Sequence, residues 1–331
     1  VVEANHLGGI CLNWGCIPTK ALLEHAHALK VIQQAKEWAV TIPAGAPSID
    51  MGQVHARKEK IVSGLTKGIE LLFKKNKIDW IKGTARLLGD GKVDIFEGDK
   101  QTLNAKEIIV ATGSSPRSVP GVDIDKKTII TSDQAIHLKE VPKSLVVLGS
   151  GAVGVECASI YRRFGSEVTI IELLPRLVPV EDEAVSVELE KSFKKQGIKS
   201  LTSTKLTKAK ANPKGVDIEA QTPDGKTVSM TAEILLVATG RGPVTTGLGV
   251  EDIGLELEKG YIKVDELYRT SIKNISAIGD VVTLGGSIHP QLAHVSSAEG
   301  VIVAERLAGQ EVLPLNFLHV PGCTYCDPEI G

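Results

Sequence analysis

Residues 145–172 read LVVLGSGAVGVECASIYRRFGSEVTIIE, and this stretch decides the fold. Leu145-Val146-Val147-Leu148 is a short apolar run ending on a glycine, the pattern of a fully buried parallel strand. Gly149-Ser150-Gly151-Ala152-Val153-Gly154 follows in G-x-G-x-x-G spacing. A helical stretch then covers 153–164, and a second apolar run, Val168-Thr169-Ile170-Ile171, closes on Glu172. A lone G-x-G-x-x-G is weak, but here it sits in the complete strand–turn–helix–strand unit that the motif requires. Gly149 permits the tight turn, Gly151 lets the backbone approach a pyrophosphate, and Gly154 allows close helix–strand packing. The helix N-terminus supplies free N–H groups and the positive end of a dipole. Glu172 ends the second strand, where a carboxylate accepts hydrogen bonds from ribose hydroxyls and repels a 2′-phosphate. The unit therefore reads as a site for NAD rather than NADP. The competing reading, a glycine-rich turn without a ligand, gives Glu172 no task.

Three more apolar runs of the same kind lie at 107–113, 233–240 and 275–280. Helical spacing covers 19–38, 51–75, 153–164 and 182–196. The chain also repeats itself. Val110-Ala111-Thr112-Gly113 recurs as Val237-Ala238-Thr239-Gly240, and Val1-Val2-Glu3 echoes Ile170-Ile171-Glu172. Both echoes predict an α/β fold with two Rossmann-like dinucleotide-binding domains, built on parallel sheets with helices on both faces. The first domain is expected at 1–142 and 263–312, wrapped around the second at 143–262, with 313–331 starting a truncated further domain. Glu3 is then the ribose acceptor of the first domain, whose glycine loop would precede residue 1.

A chain of 331 residues accommodates about two domains. With 42% hydrophobic and 24% charged residues it is an ordinary soluble α/β composition. Net charge is −2 and the basic residues are scattered, which leaves no face for nucleic acid or an anionic membrane. No apolar run approaches the roughly 18–20 residues of a membrane span, and no signal peptide heads the chain, so the expected location is the cytoplasm.

Gly8-Gly9-Ile10-Cys11-Leu12-Asn13-Trp14-Gly15-Cys16-Ile17-Pro18-Thr19-Lys20 carries the most chemistry. Cysteines spaced C-x4-C lie too far apart to be bridged within a regular helix, where the Cα limit is about 7 Å. The glycines let the backbone distort, and Pro18 fixes the turn that follows. A strained, accessible disulfide is the labile, catalytic sort, and the first turn of a helix favours a thiolate. Metal ligation together with Cys323 and Cys326, a structural disulfide, and two unlinked thiols remain open as alternatives. No metal site is expected.

Segment 8–20 resembles the redox signature of the pyridine nucleotide–disulfide oxidoreductases. Leu12, Asn13, Ile17 and Lys20 are similar to its dihydrolipoamide dehydrogenase branch, and the likeness runs through the ATG strands, the fingerprint with Glu156, and Gly279-Asp280. Ile10, Trp14 and Thr19 depart from the commonest form. The resemblance implies FAD and NAD as cofactors. It makes Cys11 the thiol that exchanges with substrate, Cys16 the thiol against the flavin, and Lys20 a partner of Glu156. By the same resemblance FAD contacts fall on Glu3, Lys20, Ala85, Thr112, Gly113, Ser114, Asp280, Gln291, Leu292, Ala293 and His294. NAD contacts fall on Gly149, Ser150, Gly151, Ala152, Val153, Gly154, Val155, Glu156, Glu172, Leu206, Gly240 and Arg241. The implied activity passes electrons from dihydrolipoamide through Cys11 and Cys16 to FAD and on to NAD. The implied partners are the dihydrolipoyl groups of 2-oxo acid dehydrogenase complexes and a second copy of the chain, whose interface domain supplies the base. A chain without that domain is expected to be inactive alone. Sibling disulfide reductases and a non-catalytic nucleotide-binding module are the rival readings.

His289 reads as an ordinary loop residue, because the family's His-Pro motif belongs to a later domain. Cys323-Thr324-Tyr325-Cys326 reads as structural, and Cys157 as a small core residue.

Overall fold

The computed structural model describes residues 1–42, 45, 47–286 and 289–331. Ser287 and Ile288, in the segment that precedes the expected flavin contacts at 291–294, lie outside the described residues. Among the described residues the α-helices are α1 (Gly9–Asn13), α2 (Cys16–Gln33), α3 (Met51–Lys75), α4 (Ser132–Ala135), α5 (Ala152–Phe164), α6 (Glu183–Lys195) and α7 (Ala293–Leu307). The chain forms two compact units, neither continuous in sequence.

One unit comprises Leu12–Leu65, Pro116–Gly240 and Gly322–Gly331. Its centre is a five-stranded sheet in the order Lys199–Leu201, Glu167–Ile171, Ser144–Leu148, Ile234–Val237, Ile129–Ile130, with every neighbouring pair parallel. Both faces of these strands are apolar. Leu145, Val147 and Ile170 pack with Leu22, Leu23, Ala26 and Leu29 of α2 and with Val155, Ala158 and Tyr161 of α5. Val146, Leu148, Ile171 and Leu235 pack instead on Leu206, Val216, Ile218 and Ala220. These last residues belong to an antiparallel sheet of Lys205–Asn212, Gly215–Gln221 and Thr227–Ala232. A β-meander therefore covers the face where helices were expected. Its middle strand, Val216-Asp217-Ile218-Glu219-Ala220, alternates buried and outward residues as such a cover demands.

The other unit comprises Val1–Cys11, Thr66–Ser115 and Arg241–Pro321. Val2–Glu3 pairs in parallel with Ile81–Gly89, which continues antiparallel into Lys92–Gly98 and Gln101–Asn104. Ile108–Val110 runs parallel to Ile275–Ala277. Val110, Ile262, Tyr268, Ile275, Val281 and Val303 share its core. The compact units cut the chain at different places from the expected domains, since Leu12–Leu65 groups with the five-stranded sheet. The physical cause is the apolar stripe that α2 lays against α5.

Candidate functional site

The three fingerprint glycines have different causes. Gly149 has φ +98°, and a Cβ there would lie 2.5 Å from the Ala238 carbonyl oxygen. At Gly154 a Cβ would lie 2.1 Å from the Gly149 carbonyl oxygen. Gly151 caps α5, and a Cβ there would meet nothing within 4 Å. No side chain caps this helix end. Packing thus requires the outer glycines, while the middle one leaves open space before free N–H groups, which fits a pyrophosphate.

Glu172 is 7% exposed and already engaged. Its Oε2 accepts from the Ser150 N–H and hydroxyl, each at 2.8 Å, and its Oε1 accepts from Leu174 N–H at 2.8 Å. The carboxylate is therefore aimed at the glycine loop in advance, with acceptor capacity left on Oε1 for a hydroxyl. Ala152 and Val153 are exposed, whereas Val155 faces the core. Leu206 also spends its side chain on the core, so only its backbone could reach a ligand. Gly240 is exposed with φ +102°.

In the other unit Glu3 repeats the Glu172 arrangement, accepting from the N–H two residues on, Asn5, at 2.8 Å. Ala85 is half-buried on its strand, and the Thr112 hydroxyl donates to Val244 O at 2.6 Å. Gly113 takes φ +72°, open only to glycine at low cost. Buried Ser114 donates to Asp280 Oδ2 at 2.6 Å. Arg241 Nε and Nη2 donate to Ser114 Oγ and O at 2.8 Å each. Arg241, expected among the NAD contacts, thus joins the Ser114–Asp280 cluster within its own unit. Gln291 and Leu292 are half-buried, Ala293 and His294 are exposed, and no side chain caps α7 at Leu292. Two strand-end carboxylates and two uncapped helix starts suit the ribose and phosphate chemistry of dinucleotides.

In the cysteine segment the helix breaks between the pair. Cys11 lies in α1 and Cys16 opens α2, while Gly15 between them takes φ −121° and ψ −115°. Gly8 and Gly9 have positive φ. Pro18 sits inside the first turn of α2, where a missing N–H costs nothing, and not in a turn beyond it. The Thr19 hydroxyl donates to Gly15 O at 2.7 Å. Both cysteines are half-buried. Lys20 Nζ donates to both oxygens of Glu156, at 2.7 and 2.9 Å, forming the pair the resemblance implied. Tyr325 N–H adds a third bond to Glu156 at 2.8 Å, and its ring centroid lies 4.7 Å from Lys20 Nζ.

The ordinary-loop reading of His289 is corrected. Its side chain is 1% exposed, and Nε2 lies 2.7 Å from Oε1 of fully buried Glu299. Glu299 occupies an i,i+4 stripe with Val295 and Val303, all buried. An acid in the middle of an apolar stripe is a signal for a buried partner, and it was legible in the sequence. Cys157 is buried, and desolvation pushes its thiol up to about 12. Burial likewise pushes Cys326 up to about 12, and its thiol donates to Pro328 O. Cys323 is exposed. No helix among the described residues is long and apolar enough to cross a membrane.

The chain belongs to the pyridine nucleotide-disulphide oxidoreductase family, whose model matches residues 1–300. It is 40% identical over 334 residues to a dihydrolipoyl dehydrogenase of Zymomonas mobilis and 42% identical over 333 residues to one of Chlorobaculum tepidum. Each alignment covers 100% of this chain and 70% of the relative. Among solved structures, LpdA of Mycobacterium tuberculosis superposes with TM-score 0.87 at 27% identity, covering 99% of this chain and 70% of that one. The HOCl-induced flavoprotein disulfide reductase RclA of Escherichia coli gives TM-score 0.81 at 25% identity, with the same coverage.

Proposed function

We propose that this chain carries the redox, flavin and NAD core of a dihydrolipoyl dehydrogenase. The observation that carries the reading is the pair Cys11 and Cys16 across a glycine-broken helix, in a chain about 40% identical from end to end to enzymes of that name. One thiolate of dihydrolipoamide attacks Cys11 Sγ of a Cys11–Cys16 disulfide, which releases Cys16 as thiolate. The second substrate thiolate then displaces Cys11 and leaves as cyclic lipoamide. Two electrons stay on the cysteine pair, and the two substrate thiol protons pass to a base. FAD, when bound, supplies two-electron transfer between this pair and NAD. Glu3, Ala85, Thr112–Ser114, Asp280 and 291–294 would hold it, and Lys20, pinned by Glu156, would offer it a fixed cation. Gly149–Glu156 and Glu172, with Gly240, would hold NAD. The protein works in the cytoplasm as a homodimer on the dihydrolipoyl groups of 2-oxo acid dehydrogenase complexes.

The test is turnover of the FAD-loaded protein carrying this chain. Dihydrolipoamide should reduce NAD but not NADP, and Cys16→Ser should abolish the reaction. Reduction of glutathione disulfide by NADPH, without dihydrolipoamide activity, would assign the chain to a sibling reductase.

A further inference from the structure

We infer that the buried His289–Glu299 pair is a positioning device that ties the Gly279–Asp280 turn to the strained entry of α7 and so sets the geometry this unit offers to FAD. The inference rests on the flavin reading above. Glu299 is 0% exposed, and a carboxylate taken out of water survives only with its oxygens satisfied. Oε2 accepts from Gly279 N–H at 2.6 Å, next to Asp280. Oε1 faces His289 Nε2 at 2.7 Å, and His289 Nδ1 lies 3.1 Å from the Gln291 N–H. The last bond fixes the tautomer. Nδ1 accepts, so Nε2 carries the proton and donates to Glu299. One continuous chain of hydrogen bonds therefore runs from Gln291 through His289 and Glu299 to Gly279.

Both ends of this chain adjoin flavin-facing residues. Gln291 holds φ +53°, a left-handed conformation that a side-chain-bearing residue keeps only when anchored. Its N–H bond to His289 is that anchor, and Gln291 leads directly into the uncapped start of α7. Asp280, next to Gly279, holds Ser114 at 2.6 Å. A histidine–carboxylate pair serving packing alone needs neither terminus at a cofactor-facing segment.

The chemistry gives a discriminating set of variants. Glu299→Gln keeps the shape but must turn an amide N–H toward either Gly279 N–H or His289 Nε2, so one bond is lost. His289→Asn keeps an acceptor for Gln291 N–H and loses reach to Glu299; His289→Gln does the reverse. The protein carrying this chain is titrated with FAD. Flavin fluorescence, the visible spectrum and the flavin reduction potential are read beside the unfolding temperature. Glu299→Gln should weaken FAD binding by about tenfold or more and shift both spectrum and potential. His289→Asn should recover more of the binding than His289→Gln, because the Gln291 anchor survives, and these two carry the test if Glu299→Gln does not fold. A lowered unfolding temperature with unchanged FAD affinity, spectrum and potential would reduce the pair to a packing element and overturn the inference. A wild-type protein that takes up no FAD would overturn the flavin reading itself, and the inference with it.

Discussion

Gly151 and Gly154 stand three residues apart in one motif, yet their alanine variants should fail in opposite ways. At Gly154 a Cβ would sit 2.1 Å from Gly149 O, 3.0 Å from Gly149 C and 3.4 Å from Val147 Cγ1. Real Cβ atoms stay beyond 3.0 Å, so α5 must retreat from its strand by roughly 1 Å. The obstructing oxygen is backbone and cannot rotate aside. Overpacking of this kind costs about 1–3 kcal/mol, and alanine's better helix propensity returns up to about 1 kcal/mol. A 2.1 Å approach to backbone belongs at the upper end of that range, about 2–3 kcal/mol, so a net loss of about 1–2 kcal/mol remains and lowers the unfolding temperature by roughly 2–8 °C. At Gly151 a Cβ meets nothing, and φ −66°, ψ 177° suits alanine. The poorer N-cap and the stiffer unfolded chain nearly cancel, leaving stability within about 0.5 kcal/mol. The new methyl instead occupies the approach of the pyrophosphate, and a loss of about 1.4 kcal/mol or more weakens NADH binding at least about tenfold. Thermal unfolding without nucleotide and calorimetric titration with NADH separate the two effects. A Gly154→Ala variant as stable as wild type, or a folded Gly151→Ala variant with unchanged NADH affinity, would refute this division of labour.

Lys20→Met should cost about 1–2 kcal/mol in urea unfolding, because Glu156, 5% exposed, keeps only the Tyr325 N–H while the 36% exposed lysine loses little on its own account. Adding Glu156→Gln should restore most of that loss, since no unpaired charge remains buried. Cys157 and Cys326 should resist iodoacetamide at pH 8 in the native protein while exposed Cys323 reacts. Their folded pKa values, about 12, lie above the ordinary 9.0. Their contribution to stability is thus complete below pH 9 and lost as pH rises toward 12, by about 1.4 kcal/mol per unit per thiol. Urea titrations at pH 8 and pH 10 should show the loss, and Cys157→Ala should remove part of it.

The sequence displayed whatever depends on neighbours in the chain. The unit at 145–172, the boundaries of α3 and the helix break at Gly15 follow from local periodicity and glycine placement. The Lys20–Glu156 pair, 136 residues apart, came through resemblance alone. Contacts set by the tertiary fold were harder to read. Arg241 came among the NAD contacts through resemblance, and nothing local in the sequence pointed to the Ser114 hydroxyl and carbonyl that its guanidinium meets. Leu206 likewise came as an NAD contact through resemblance, and only the fold shows that its side chain packs on the parallel sheet. His289 was misread because Glu299, an acid between Val295 and Val303, signals a buried partner without saying which residue in the preceding loop supplies it. The meander over 205–232 was legible in Val216-Asp217-Ile218-Glu219-Ala220, where period-two alternation marks a half-buried strand.

The central claim is that Cys11 and Cys16 exchange electrons with a dithiol substrate. Mass-spectrometric thiol mapping of the air-oxidised protein, before and after anaerobic treatment with excess dihydrolipoamide, tests it without reliance on turnover. The account predicts a gain of two thiols per chain, both at Cys11 and Cys16, with Cys157, Cys323 and Cys326 unchanged. No gain, or a gain at Cys323 and Cys326 while Cys11 and Cys16 stay as they were, would contradict it.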